Sequence, residues 1–405
     1  MVKFKSMALS VVFVLISSTI LTACQTALST EQIQGTMNAA VNETMAAMPT
    51  ATLVPTATAI PTPTSTPTPV PVQYGPSNFP DNVDPLTGLT VADPSILVRR
   101  PVMVKASNFP REGRPQAGLS KADIVFDYST GEGANRFLAL YYGQNSDQVG
   151  PIRSGRYIDE WLVSMYQGVL GMMYAWAPEY AEIVGRLSDQ RVINGTTNTC
   201  PAICNKNLGI SEISWFANTA EMTKYYEKSA GAETKPVLDG MLFNTIPPVG
   251  GADGSEVNMH FGKSNESFWQ YDTTLKKYLG SIDYKVNDSD ETFTMIPWVD
   301  RNTNEQLAFS NVIIVFASYT TLNGDDTLHQ VSLVGASGRA LIYRDGQVYD
   351  GIWKGINTTG PLQFFDASHK PMELQPGNSF IAITGTNSVV TQDSPGSFKV
   401  SFYKP

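Results

Sequence analysis

The residues best suited to chemistry lie in one short segment, residues 150–156, directly before a predicted helix. The segment contains Arg153, Ser154 and Arg156. A helix N-terminus carries backbone N–H groups without intrahelical partners and a positive partial charge. Arginine adds planar pairs of donors for carboxylate or phosphate, and serine is a favoured N-cap residue. The segment therefore predicts an anion-binding site, with Ser154 as the helix cap.

Other candidate residues depend on how the neighbouring strands pair. Arg114, Glu132 and Arg136 would converge on the same edge as the arginine pair if consecutive strands are adjacent. Secondary candidates for the same cleft are Asp123, Tyr174 and Glu179.

A purely structural role for the arginines is an equal alternative. Arg153 and Arg156 could pair with Asp123, Asp127 or Glu132 and fix a strand to the helix, since structural ion-pair networks also concentrate charge.

Catalytic signatures are missing from the sequence. It has no G-x-S-x-G elbow, no H-E-x-x-H motif and no phosphate-binding Walker loop. We expect a binding protein rather than an enzyme, without a cofactor. The alternative is a hydrolase of a cell-wall polymer that uses Glu132 or Asp127 as acid and base.

The sequence contains three cysteines, one near the N-terminus and two that lie four residues apart. Cys200 and Cys204 predict a small disulfide loop in an oxidising compartment. A metal site is the weaker alternative, because zinc takes about four ligands and no histidine or second cysteine pair is near in sequence. We therefore predict no metal.

The N-terminus predicts export and lipid anchoring. Lys3 and Lys5 precede an apolar run over residues 7–21, which ends in Ala23 and Cys24. This order is typical of a bacterial lipoprotein signal peptide, residues 1–23, with Cys24 as the acylated residue. We expect the protein on the extracytoplasmic face of the cell membrane, held in the bilayer by the acyl chains on Cys24.

Two segments follow the anchor before the folded part. Residues 24–48 place apolar side chains three or four apart and predict a short membrane-proximal helix. Residues 49–80 form a Thr/Pro-rich linker that cannot build a core, because proline removes backbone donors. The formal net charge of -9 argues against a nucleic-acid partner, which would need basic side chains to neutralise phosphates.

The N-terminal domain is predicted over residues 84–240. Apolar runs predict strands at 101–107, 122–128, 136–142 and 169–175, and apolar residues at helical spacing predict helices at 158–169, 178–187 and 216–226. Such alternation is typical of a layered α/β arrangement.

The C-terminal domain is predicted over residues 255–405 and is rich in strands. These are expected at 311–318, 340–343, 348–353, 380–384 and 398–403. Asp345 and Gly346 predict a two-residue type I′ hairpin turn. The fold class is therefore α+β, a mixed α/β N-terminal domain followed by a mainly antiparallel β domain.

Several motifs in this order resemble the YerB-like lipoproteins, a bacterial family with a domain of unknown function. The motifs are DPLTGL at 84–89, RPQAGLSKADIV at 114–125, EGANRF at 132–137, GPIRSGR at 150–156, GIWK at 351–354, FD at 365–366 and LQPG at 374–377. The family pattern includes a histidine followed by glycines, where residues 173–179 here read MYAWAPE. A second histidine motif is replaced around residues 200–207.

The resemblance implies a fold and a location but no reaction. Three functions are therefore compatible with the sequence. The first is an envelope lipoprotein that binds an anionic ligand or a protein partner through the arginines, the second is the wall hydrolase, and the third is a structural scaffold.

Overall fold

The computed structural model describes residues 72–197, 199–231, 235–262, 265–285 and 292–403, together with Gly35. The chain divides into two units, residues 1–68 and 69–405. The predicted signal peptide, Cys24 and the linker as far as residue 71 lie outside the described residues, and so does the predicted membrane-proximal helix apart from Gly35.

Three α-helices are present in the described part of the chain: α1 Tyr157–Met165, α2 Ala177–Leu187 and α3 Thr219–Ala230. Pro178 lies in the first turn of α2, where its missing N–H has no intrahelical partner to lose. Asn218 caps α3 by accepting a hydrogen bond of 3.1 Å from the backbone N–H of Glu221. The predicted start of this helix at residue 216 is therefore wrong, because the cap places its first turn at Thr219.

The described part of the chain contains 25 β-strands. The first nine are β1 Gln73–Tyr74, β2 Val102–Ser107, β3 Ile124–Gly131, β4 Ala134–Tyr141, β5 Val169–Met172, β6 Val192–Asn194, β7 Ile203–Asn205, β8 Trp215–Ala217 and β9 Leu242–Asn244. The next eight are β10 Ala252–Asp253, β11 Glu256–Gly262, β12 Asn265–Asp272, β13 Lys277–Tyr284, β14 Thr294–Pro297, β15 Ala308–Phe309, β16 Asn311–Ala317 and β17 Tyr319–Leu322. The last eight are β18 Asp325–Val331, β19 Ala336–Arg344, β20 Gln347–Gly355, β21 Gln363–Phe365, β22 Glu373–Leu374, β23 Ser379–Gly385, β24 Val389–Ser394 and β25 Ser397–Ser401.

An 11-stranded sheet forms the centre of the molecule. Its order is β10-β20-β19-β16-β23-β3-β4-β2-β5-β6, with β21 added beside β20. Strand β23 pairs in parallel with β3, so that Phe380 lies opposite Val125. Strands from both sides of the predicted domain boundary thus share one sheet, and the division into domains at 84–240 and 255–405 stays a prediction.

Each face of the central sheet has its own covering layer. Ile124 and Phe126 pack in one apolar cluster with Ile158 and Leu162 of α1. Val125, between them in sequence, packs in a second cluster that includes Trp269 of β12. Successive strand residues point to opposite faces, so an apolar run such as 124–126 requires a cover on both.

A seven-stranded sheet supplies much of the second cover, with the order β14-β13-β12-β11-β25-β24 and β15 beside β13. The hairpin between β19 and β20 turns at Asp345 and Gly346, whose φ angles of 50° and 72° are both positive, as a type I′ turn requires. The predicted α+β class is confirmed, with helices concentrated in the N-terminal half and antiparallel strands in the C-terminal half.

Candidate functional site

Three of the predicted arginines lie together where β2 ends and β4 begins, beside α1. Arg136 of β4 donates from Nη1 to the carbonyl oxygen of Ser154 at 2.9 Å. Arg153 follows the edge of β2, because its backbone N–H donates to the carbonyl oxygen of Lys105 at 2.9 Å. Arg156 is the residue directly before α1. We call Arg136, Arg153 and Arg156 the arginine cluster.

The cap of α1 differs from the prediction. Arg156, not Ser154, is the N-cap residue, and its backbone N–H donates to Asp159 Oδ2 at 2.7 Å. Ser154 lies two residues too early for its hydroxyl to cap the helix, so that prediction is wrong. The carboxylate of Asp159 accepts the N–H of Arg156 and places negative charge at the helix start, so we expect the arginine side chains to be the donors for an anion.

A buried lysine lies beneath the cluster. The Nζ atom of Lys105 is 3.1 Å from Oδ1 of Asp159, and both side chains are 0% exposed. The hydroxyl of Tyr128 donates to the same carboxylate oxygen. Burial lowers the pKa of Lys105 to about 7, against the attraction of Asp159, and the charges of Arg136 and Arg156 lower it further.

Positive charge is in excess around these side chains. Burial lowers the pKa of Arg136 to about 9, and the neighbouring Arg156 and Arg153 add to the shift. Burial also lowers the pKa of Arg153; Glu212 opposes this shift and Arg156 adds to it. Glu179, only 1% exposed, faces Arg156 at 3.5 Å between Oε2 and Nη1. Cations that mutually disfavour their charged forms indicate a site short of negative charge.

Arg153 differs from its neighbours in having no fixed partner. Its side chain makes no hydrogen bond or ion pair with any residue that the structure describes, and its Nε atom is buried. Arg153 and Ser154 line a cleft of about 150 Å³, which is completed by Ile152, Met173, Ser211, Glu212 and Trp215. The cleft therefore offers one arginine with free donors, next to an indole ring.

Two predicted candidates lie away from the cluster. Arg114 is bound to Asp283 of β13, with Nη1 3.3 Å from Oδ2, and its Nε donates to the carbonyl oxygen of Asn108. Glu132 is exposed at the tight turn between β3 and β4, where its φ is 52°. The expected convergence of Arg114, Glu132 and Arg136 is wrong, because the turn points Glu132 to solvent and a C-terminal strand binds Arg114.

The secondary candidates are distributed over three environments. Asp123 accepts the backbone N–H groups of Tyr142 and Gly143 and lies beside Arg99, and burial raises its pKa to about 6. Glu179 belongs to the site through Arg156. The backbone of Tyr174 contacts the segment that carries Arg153 and Arg156, because the carbonyl oxygen of Tyr174 accepts the N–H of Gly155 at 2.8 Å.

The predicted alternative partners of the arginines are also wrong. Asp127 lies on the opposite face of the sheet, where its Oδ1 accepts from Asn135 Nδ2 at 2.6 Å. In the described part of the chain, neither Arg153 nor Arg156 forms an ion pair with Asp123, Asp127 or Glu132. Arg156 pairs with Glu179 instead.

Sequence reasoning missed Lys105, Tyr128, Glu212 and Trp215. A usable signal existed only for Lys105, which is the single charged residue within the apolar run of β2. A lone charge in a strand that is covered on both faces must find a buried partner.

Cys200 and Cys204 are joined by a disulfide, with an S–S distance of 2.02 Å. Within the described ranges, no three metal-ligating side chains come together. The helices of those ranges include none with the length and hydropathy needed to span a bilayer.

The chain matches the models of two domains of one protein family. The N-terminal domain of the protein of unknown function DUF3048 matches residues 86–231, and the C-terminal domain of the same family matches residues 257–381. The chain belongs to the DUF3048 family. The description of the DUF3048 family names no activity, so any function must be argued from the site itself.

Relatives of this DUF3048 chain agree in fold. "Putative lipoprotein YerB" of Bacillus subtilis (strain 168) is 28% identical over 279 residues, which are 67% of this chain and 78% of the relative. The crystal structure of YerB from Bacillus subtilis superposes with a TM-score of 0.61 at 24% identity, covering 75% of this chain and 96% of that one. The YerB-like family membership predicted from the motifs is confirmed.

Proposed function

We propose that this chain is a cell-envelope lipoprotein, anchored through Cys24 at the extracytoplasmic face, that binds an anionic group through the arginine cluster. The anchor is supported by the basic start, the apolar run and Cys24 in the sequence, and by the similarity to "Putative lipoprotein YerB".

The observation that carries the binding proposal is the free side chain of Arg153. A guanidinium that is largely withdrawn from water loses hydration, and proteins normally compensate with a carboxylate or carbonyl partner. Glu212 lines the same cleft and attracts Arg153, but no ion pair joins the two among the described residues, and Asp159 and Glu179 are engaged with Lys105 and Arg156. An anionic ligand in the cleft would supply the missing charge and acceptors.

The wall-hydrolase alternative receives less support. Glu132 is exposed on a turn away from the cluster, and Asp127 is fully buried on the other face of the sheet. Neither carboxyl group lines the cleft that contains Arg153.

Arg153→Ala should weaken binding of inorganic pyrophosphate about tenfold or more, because hydrogen bonds to charged groups contribute about 1.5–3 kcal/mol each. Its stability should change little, since Arg153 forms no hydrogen bond or ion pair with the described residues and only Glu212 attracts it there. Calorimetric titration of the full chain in detergent at low ionic strength measures the affinity.

The matched control is Arg339→Ala, which removes an exposed arginine that is paired with Asp350. Equal weakening by both variants would mean that only overall charge matters. Unchanged affinity in Arg153→Ala, or no pyrophosphate binding by the wild type, would refute the proposed site.

Cys24→Ala should move the protein from the membrane fraction to the soluble fraction and abolish incorporation of labelled fatty acid, because stable anchoring needs the acyl chains. The variant Cys200→Ser with Cys204→Ser should keep both label and membrane association, since Cys24 is the cysteine that directly follows the signal segment. Label retained in Cys24→Ala would contradict the anchor.

A further inference from the structure

We infer that the ligand of the arginine cluster is an acidic polysaccharide, whose sugar rings stack on an adjacent surface formed by Tyr174, Trp176 and Tyr180. We call these three residues the aromatic platform. This inference rests on the proposed function, because it assigns the acidic groups of the polymer to the arginines.

Two rings of the platform are open to solvent. Tyr174 is 43% exposed and Trp176 is 49% exposed. Tyr174 stacks on Tyr180 with ring centroids 4.6 Å apart and an interplanar angle of 24°. Tyr180 follows Trp176 by four residues and donates its backbone N–H to the carbonyl oxygen of Trp176 at 2.9 Å. Tyr174 and Tyr180 therefore stack as a pair at the start of α2, and Trp176, the residue directly before the helix, exposes a further ring in the same segment.

The backbone holds Tyr174 in an unusual conformation. Its φ of 55° is in the left-handed region, which bulky residues rarely adopt. Two hydrogen bonds fix it there, from the Tyr174 N–H to Asn194 Oδ1 at 3.1 Å and from the Gly155 N–H to the Tyr174 carbonyl oxygen. Such enforced conformations concentrate at binding sites, and here the result is a presented aromatic ring.

The platform is joined to the arginine cluster through neighbouring residues of the chain. The N–H of Met173, next to Tyr174, donates to the carbonyl oxygen of Arg153 at 3.1 Å. On the other side, Arg156 reaches Glu179, which directly precedes Tyr180. Arg153 and Arg156 thus each contact a residue that is next to a platform residue in the sequence.

Another aromatic residue, Trp215, lies beside Arg153 in the cleft. The backbone N–H of Ile152 donates to the carbonyl oxygen of Trp215 at 2.8 Å, and Trp215 lines the cleft with Arg153. Arg153 therefore lies between strand residues that carry Trp215 and strand residues that lead into Tyr174. An extended ligand can contact an aromatic ring on each side of the charged group.

This combination fits sugar rings better than an apolar protein surface. The C–H faces of pyranose rings pack on flat aromatic side chains, while their hydroxyl groups need polar neighbours such as Ser154, Ser211 and Glu212, which line the cleft. Carboxylate or phosphate substituents suit the arginines. A stable protein partner needs a contact of about 1,000 Å² with an apolar centre, whereas the cleft here is small and bordered by charged groups.

The test uses the full, lipid-anchored chain in detergent micelles and three probes. The probes are an oligogalacturonate, its neutral methyl ester and inorganic tripolyphosphate, and binding is measured by calorimetric titration. We expect the oligogalacturonate to bind most tightly, the methyl ester weakly, and tripolyphosphate through the arginines alone.

The variants separate the platform from the cluster. Tyr174→Asn keeps a residue that tolerates positive φ, and Trp176→Ala removes an exposed ring. Each should weaken oligogalacturonate binding about tenfold and leave tripolyphosphate binding unchanged, because stacking is lost and the charges remain. Tyr225→Ala, which removes an exposed ring of α3, should change neither affinity.

The outcomes are distinguishable. If no anionic probe binds, the proposed function fails and this inference fails with it. If tripolyphosphate binds through Arg153 but Tyr174→Asn and Trp176→Ala do not affect the oligogalacturonate, only the polysaccharide assignment is overturned. Loss of a crosslinked envelope protein in the platform variants, with unchanged sugar binding, would assign the surface to a protein and also overturn it.

Discussion

Asp159→Asn should lower the free energy of unfolding by about 3–5 kcal/mol at pH 6, because it leaves a buried ammonium without its counter-charge. Lys105 and Asp159 are both 0% exposed and 3.1 Å apart. Asparagine has a single acceptor oxygen, so it can accept from Tyr128 or from the backbone N–H of Arg156 but not from both. The loss therefore combines the charge with one hydrogen bond. Denaturant unfolding monitored by tryptophan fluorescence measures the change.

A second substitution separates the charge effect from packing. Lys105→Met, added to Asp159→Asn, should restore part of the lost stability, because no buried cation then remains. If the double variant is less stable than Asp159→Asn alone, the ion pair is not the cause of the loss.

Lys105 should also leave a signature in the pH dependence of stability. Its pKa is about 7 in the folded chain, below the ordinary value of 10.5. Between these values the unfolded chain binds the extra proton, so this residue makes stability rise as pH increases from about 7 to 10.5. The single variant Lys105→Met removes that contribution.

The local part of the site could be predicted from the sequence, because a short contiguous motif keeps its residues together. Residues 153–156 lie directly before a helix, which begins within one residue of the predicted start. The predicted end at residue 169 is wrong, because the helix ends at Met165 and Val169 begins β5. The choice of cap could not be predicted so well. Ser154 lies two residues before the N-cap position, which Arg156 occupies. The carboxylate of Asp159 accepts the backbone N–H of Arg156 there.

Predictions failed where they depended on contacts that are distant in sequence. Arg114 donates to the carbonyl oxygen of Asp283, 169 residues away, and this contact removes it from the predicted cleft. Lys105 and Asp159 are 54 residues apart, and their strand and helix each looked complete without the pair. Hydrophobic pattern indicates which face is buried but not which residue covers it.

The same limit applies to the central sheet. The apolar run at residues 124–126 correctly predicted a strand with both faces covered. Its parallel partner, β23, comes from the far end of the chain, and the pattern of neither strand identifies the other. Each of these two strands could therefore be predicted from its own sequence, whereas the pairing of β3 with β23 in one sheet could not.

Asp127→Asn should remove about 1.4 kcal/mol per pH unit from the pH dependence of unfolding between pH 4 and 8. Burial raises the pKa of Asp127 to about 8 from an ordinary 3.8, with Asn135 and Lys105 opposing the shift. In that window the folded chain holds a proton that the unfolded chain releases, so wild-type stability falls as pH rises. Asparagine stays neutral and keeps the acceptor for Asn135 Nδ2.

The variant should therefore gain stability over the wild type with increasing pH, and the gain should level off above pH 8. Buried Asp84 and Asp123 also have raised pKa values, so the wild-type slope should shrink rather than vanish in the variant. Asp81→Asn removes an exposed carboxylate and should leave the slope unchanged. Parallel stability curves for Asp127→Asn and the wild type from pH 4 to 8 would mean that Asp127 is ionised in the folded chain. In that case the sheet face behind the arginine cluster would carry a charge for which the described residues provide only Asn135 as a hydrogen-bond partner.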